Sequence, residues 1–98
     1  MLETMNMLAV LVEFLGTFIF LSVIVATGNP WLIGATLAVL AFLGGAISGG
    51  HFNPAVTLMT LYNRGIAADS AAVYIVAQVA AGLLAVTVYN RLKKAGVL

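Results

Sequence analysis

Apolar residues dominate this chain in three long runs. The first covers Met7 to Thr27 and carries one charge, Glu13. The second runs from about Trp31 to Ile47, and the third from about Ala71 to Tyr89. About 20 apolar residues in a helix cross the hydrocarbon core of a bilayer, so each run predicts a membrane span. Gly28-Asn29-Pro30 separates the first two, since Pro cannot continue a helix and Gly-Asn suits a turn. Trp31 follows at the position where an interfacial aromatic is expected. Arg91, Lys93 and Lys94 close the third run, where long basic side chains can snorkel to the headgroups.

The segment between the second and third runs has a different pattern. It reads Ser48-Gly49-Gly50-His51-Phe52-Asn53-Pro54-Ala55-Val56-Thr57, then Leu58 to Tyr62, then Asn63-Arg64-Gly65. Asn53 followed by Pro54 predicts a helix start, with Asn as the cap and Pro as the first helical residue. From Pro54 to Tyr62 at ~1.5 Å per residue the helix covers about 14 Å, half a bilayer. A surface helix of that length should carry Lys or Arg along one face. Val56, Leu58, Met59, Leu61 and Tyr62 instead surround the axis, which favours a re-entrant helix over residues 48–63 with its approach. Irregular backbone at that depth needs protein cover or a water-filled path beside it.

Small residues recur at helical spacing in two runs: Gly34, Ala38, Ala41 and Gly45, and then Ala77, Ala81 and Ala85. Such stripes let membrane helices approach closely, although Ala and Gly are common in membrane helices in any case. Composition agrees with the pattern. Of 98 residues, 63% are hydrophobic and 7% charged. Soluble domains are about 25% charged, and a small soluble fold cannot hide so much apolar surface. The first residues hold an acid and no Lys or Arg, unlike a secretory signal, so the first run is read as a retained span.

Net charge is +1 and no basic patch with aromatics appears, so nucleic acid is not an expected partner. There is no cysteine, hence no thiolate metal site and no thiol nucleophile. His51 is the single histidine, and one ligand does not make a metal site. The glycines lack the Lys-Ser/Thr of a phosphate loop, and no Ser–His–acid pattern stands out. No metal, cofactor or enzymatic activity is expected. Glu13 is the costliest residue, because an intramembrane carboxylate marks either a function or a buried partner.

The ten residues from Ser48 to Thr57 resemble the first signature loop of the aquaporin, or major intrinsic protein, family. Glu13-Phe14-Leu15-Gly16-Thr17-Phe18 resembles the family's first-span pattern, and Gln78 falls where its third span carries Gln. The resemblance extends over almost the whole chain, but only over the first of the family's two repeats. It implies an all-α membrane fold of three spans plus one re-entrant half-helix, residues 1–98 forming a single half repeat. Asn53, Pro54 and Ala55 would be the Asn-Pro-Ala motif, with Asn53 donating to a passing oxygen. Gly49, Gly50, His51 and Phe52 would present backbone carbonyls to a pore. Glu13 and Gln78 would anchor the loop, a proton-carrying Glu13 being the other reading. Val56 follows the motif, the arginine of the second motif is absent, and Ile33 lies near the second-span filter position. Those two apolar residues imply a pore that is less strict for water and open to glycerol-like neutral solutes.

One half repeat cannot surround a pore. The resemblance therefore implies a partner in the bilayer: an inverted second copy, a higher homo-oligomer, or a complementary half subunit. In the family's orientation Arg64 would face the cytoplasm and Arg91, Lys93 and Lys94 the other side. The positive-inside rule then favours the reverse orientation by a small count, which permits mixed insertion. A non-conducting scaffold or regulatory half subunit, and a fragment of a longer channel, are the competing readings.

Overall fold

The computed structural model describes residues 6–98. It is all-helical: α1 (Met7–Thr27), α2 (Pro30–Ser48), α3 (Pro54–Tyr62) and α4 (Ala68–Lys94). Three of these, α1, α2 and α4, are long and apolar enough to cross a membrane.

The helix ends follow local chemistry. Asn6 caps α1, its Oδ1 accepting from the N–H groups of Leu8 (3.0 Å) and Ala9 (3.2 Å). Gly28 ends α1 in the left-handed region at φ 57°. Asn29 immediately caps α2, accepting from Trp31 N–H at 2.9 Å, with Pro30 supplying a preset φ. Two residues thus reverse the chain. Asn53 caps α3 through Ala55 N–H at 2.7 Å, and Pro54 is the first helical residue. The α3 helix closes on a Schellman motif, with Gly65 N–H donating to Thr60 O at 2.8 Å and Arg64 N–H to Leu61 O at 3.0 Å.

The third span extends beyond the predicted 71–89 at both ends, starting at Ala68 and reaching Lys94. Hydropathy marks the part of a helix that lies in lipid, not the helix itself. Asp69 in the first turn and Arg91, Lys93 and Lys94 in the last complement the helix dipole, so the polar ends stay helical.

Packing is carried by small residues. The α1 helix lies between α2 and α4, and α3 packs on α4. Buried positions on α1 are Ala9, Glu13, Gly16 and Thr17, one helical face. On α4 the stripe Ala77, Ala81 and Ala85 is buried, and Gly82 gives Leu21 of α1 room to approach. The α1 and α4 helices run parallel, Ala26 sharing a groove with Val88 and Leu92. The α2 stripe behaves otherwise. Gly34, Ala38 and Ala41 are exposed, since α2 buries only Gly44 and Ser48 near its C-terminus. Substituting Ala at Gly34 meets nothing within 4 Å.

Candidate functional site

Residues 49–53 form a loop whose backbone is fixed from one side. Glu13 is fully buried on α1 and accepts four hydrogen bonds. Its Oε1 takes Phe52 N–H at 2.8 Å and the Gln78 amide at 3.0 Å. Its Oε2 takes His51 N–H at 3.0 Å and the Ser48 hydroxyl at 2.7 Å. The N–H of Gly50 donates to Ser48 Oγ at 3.1 Å. Of three successive loop N–H groups, two thus bond Glu13 on α1 and one bonds Ser48 at the end of α2. The glycines permit that course: Gly49 and Gly50 have φ of 90° and 65°, where a side chain is strained.

Gln78 ties the loop to the half-helix. Besides Glu13, its amide donates to Thr57 Oγ1 at 2.9 Å. Both amide hydrogens are thereby committed. Thr57 is fully buried and also bonds the His51 ring at Nδ1, 2.9 Å away. The His51 ring stands edge-on to Tyr74 with centroids 5.3 Å apart. Tyr74 donates its hydroxyl to Ser48 O at 2.8 Å, closing the last carbonyl of α2. Tyr74→Phe leaves that buried carbonyl unpaired and should cost about 1–2 kcal/mol in denaturant unfolding within mixed micelles.

Phe52 does more than contribute a backbone. Its ring is 2% exposed and fills the space between α1 and α2. A methyl group on Gly16 would overlap the ring, and one on Gly44 would lie 3.1 Å from Cζ. Phe52 also holds φ at 52°, unusual for a residue with a Cβ, stabilised by its N–H bond to Glu13. The sequence assigns Phe52 only a backbone carbonyl, an acceptor facing the expected pore. Its side chain is a wedge, and the small residues facing it at Gly16 and Gly44 were the legible sign.

The opposite side of the loop is open. Among the described residues, the carbonyls of Gly49, Gly50, His51 and Phe52 take no backbone hydrogen bond. Asn53 is exposed, with its Oδ1 used in capping. Its amide nitrogen is left free to donate. Asn53 and Pro54 border a cavity of about 320 Å³ that also touches Thr17, Phe52, Gln78 and Gly82. Ala55 is exposed and Val56 half-buried in the first turn of α3. Gln78 lies ten residues into α4, about 15 Å from its start. Because Gln78 touches Thr57, the tip of α3 sits near half the depth of a ~30 Å core.

Ile33 is not brought to this cluster. It lies in the first turn of α2, fifteen residues before Ser48 and so about 22 Å along the axis. Ser48, Thr57 and Tyr74, to which the sequence assigns no individual role, join the cluster. Ser48 and Thr57 flank the loop as polar residues in an apolar setting, which was the available signal. Tyr74 gave none, being one aromatic in an apolar helix.

The sequence model described as major intrinsic protein matches residues 2–97. The chain belongs to the major intrinsic protein family. It is 46% identical over 84 residues to a glycerol uptake facilitator protein-like 6 from Lactiplantibacillus plantarum, covering 76% of this chain and 39% of that protein. It is 37% identical over 90 residues to a probable aquaporin PIP2-7 from Oryza sativa subsp. japonica, covering 71% and 31%. A probable aquaporin PIP2-6 from the same plant is 32% identical over 105 residues, covering 88% and 37%. The chain thus spans less than two fifths of the length of these relatives. No solved structure matches. Three spans with one half-helix make this member an all-α integral membrane protein with the form of a half repeat.

Proposed function

We propose that the chain forms half of a passive channel for water and small neutral solutes. The observation that carries the proposal is the polarity of the loop at residues 49–53. The N–H groups of Gly50, His51 and Phe52 are consumed by Ser48 and Glu13, while among the described residues the carbonyls of Gly49 to Phe52 and the Asn53 side-chain amide nitrogen are left free. A column of acceptors ending in one donor suits a file of waters or hydroxyls, and no covalent step is needed. The N-terminus of α3 adds roughly +0.5 of an elementary charge near mid-depth. Two such ends facing each other disfavour protons and cations. Family membership supports the same reading, since the relatives are named as aquaporins and a glycerol uptake facilitator.

Within this proposal Glu13 and Gln78 anchor the loop, and Gly49, Gly50, His51, Phe52 and Asn53 offer polar groups to solute. All four hydrogen bonds at Glu13 come from donors, which suits anchoring better than proton relay. Val56 stands beside the Asn-Pro-Ala tip without a cation, which favours passage of glycerol-like solutes along with water. Ile33, at the far end of α2, would act as a separate constriction.

The pore needs a second half. The exposed tip, the open cavity beside Asn53 and the uncovered stripe of α2 all suit a partner. An inverted copy is the simplest, placing two Asn53 amides toward one another. A scaffold without conduction is the second reading, and a piece of a longer channel the third. Asn53→Asp replaces the donor with a carboxylate at the half-helix tip. In proteoliposomes it should lower water and glycerol permeability at least tenfold while the helical content is unchanged. Equal permeability in the variant would remove Asn53 from the pathway.

A further inference from the structure

The end of α4 concentrates charge at one level of the bilayer. Arg91, Lys93 and Lys94 are all exposed in its last turn. They are three of the chain's four cations. Lys93 Nζ rests 5.7 Å from the centre of the Tyr89 ring. Arg91 and Lys94 are three residues apart and so neighbour each other on the helix surface.

These side chains are not needed to finish the helix. Ala95 N–H donates to Arg91 O at 3.0 Å, Gly96 N–H to Lys93 O at 3.1 Å and Val97 N–H to Leu92 O at 3.0 Å. The backbone thus satisfies three of the last four carbonyls, those of Arg91, Leu92 and Lys93, with Gly96 in the left-handed region at φ 80°. Nor do described carboxylates neutralise the cluster. Glu13 is buried against the loop, and Asp69 lies twenty-two residues earlier on α4, about 33 Å away.

A helix of 27 residues is about 40 Å long, more than the ~30 Å hydrocarbon core. Its last turn therefore stands at headgroup depth. An anionic phospholipid offers a phosphodiester oxygen pair at that depth, and a guanidinium binds such a pair through two parallel donors. We propose that Arg91, Lys93 and Lys94 form a binding surface for anionic phospholipid headgroups, with Arg91 and Lys94 gripping one phosphate. The proposal rests on the membrane placement and not on conduction, so a non-conducting chain would still show it.

The test uses the full chain in vesicles of equal phosphatidylglycerol and phosphatidylcholine, extracted gently so that bound lipids can be weighed by native mass spectrometry. Each cation near an anionic surface is worth about fivefold in affinity. The retained lipid should be enriched in phosphatidylglycerol at least fivefold over the bulk ratio, and 0.5 M salt should reduce the enrichment. Arg91→Gln/Lys93→Gln/Lys94→Gln should abolish it, while Arg64→Gln, at the other end, keeps it. Wild-type protein without enrichment would overturn the proposal. So would enrichment that survives the triple substitution. If the triple variant inserts poorly, Arg91→Gln/Lys94→Gln alone should still lower the enrichment severalfold.

Discussion

Glu13→Gln should destabilise the protein by about 3–5 kcal/mol in mixed-micelle unfolding, although the two side chains have nearly the same shape. The reason is the sign of the groups around it. Both carboxylate oxygens face only donors: two loop N–H groups, the Ser48 hydroxyl and the Gln78 amide. A glutamine can present oxygen to one pair but must present its own NH₂ to the other. Each buried donor left without an acceptor costs about 1–3 kcal/mol. Ser48 can turn its hydrogen toward Gly44 O, 3.4 Å away, but a backbone N–H cannot turn. The loop should then detach on one side and permeability should fall with stability. Asp69→Asn, a charge lost from the first turn of α4, should cost only about 0.3–1 kcal/mol. Equal effects from the two substitutions would show that Glu13 does not hold the loop.

The second large effect comes from the smallest change. Gly16→Ala should cost about 3 kcal/mol, because its methyl group would occupy the volume of the Phe52 ring. The ring has little room to retreat. Gly44 bounds it on α2, and the Phe52 backbone is held by Glu13. Phe52→Leu removes the ring's far edge and should recover part of the loss in the double variant. The two effects should therefore add to less than their sum, as expected for residues in contact. Gly34→Ala adds the same methyl group where nothing stands within 4 Å and should leave the stability of the single chain unchanged within about 0.5 kcal/mol. Urea or SDS titration of the four variants beside the unsubstituted protein provides the check.

Much of the fold could be read before the structure. Glu13 was conspicuous because a carboxylate in lipid needs partners, and Asn53-Pro54 because the pair both caps and starts a helix. Those features, with three apolar runs, place the spans and the half-helix. Three things could not be read. The ends of α4 were hidden because hydropathy falls off before helicity does. The side chain of Phe52 was hidden because its backbone has a positive φ that turns the ring back between α1 and α2, and no periodicity rule anticipates that turn. The hydrogen bond of Tyr74 to Ser48 spans 26 residues and depends on the tilt of two helices, which local sequence does not encode. The α2 stripe shows the converse. Its spacing is legible, but Gly34, Ala38 and Ala41 remain exposed in the single chain.

The loop, its anchors and the open tip of α3 form one physical arrangement. A carboxylate inside the bundle takes the N–H groups, so the carbonyls must face the other way. That arrangement explains why Glu13 tolerates its apolar setting and why Gly49 and Gly50 precede His51. Under the proposed function it supplies half of a pathway.

Stopped-flow light scattering on vesicles containing only this protein tests that account most directly. Osmotic water permeability should exceed that of protein-free vesicles and rise faster than in proportion to protein at low density, as two copies combine. It should drop back with Asn53→Asp. Permeability equal to that of empty vesicles, with the helices intact and both orientations present in the bilayer, would contradict it.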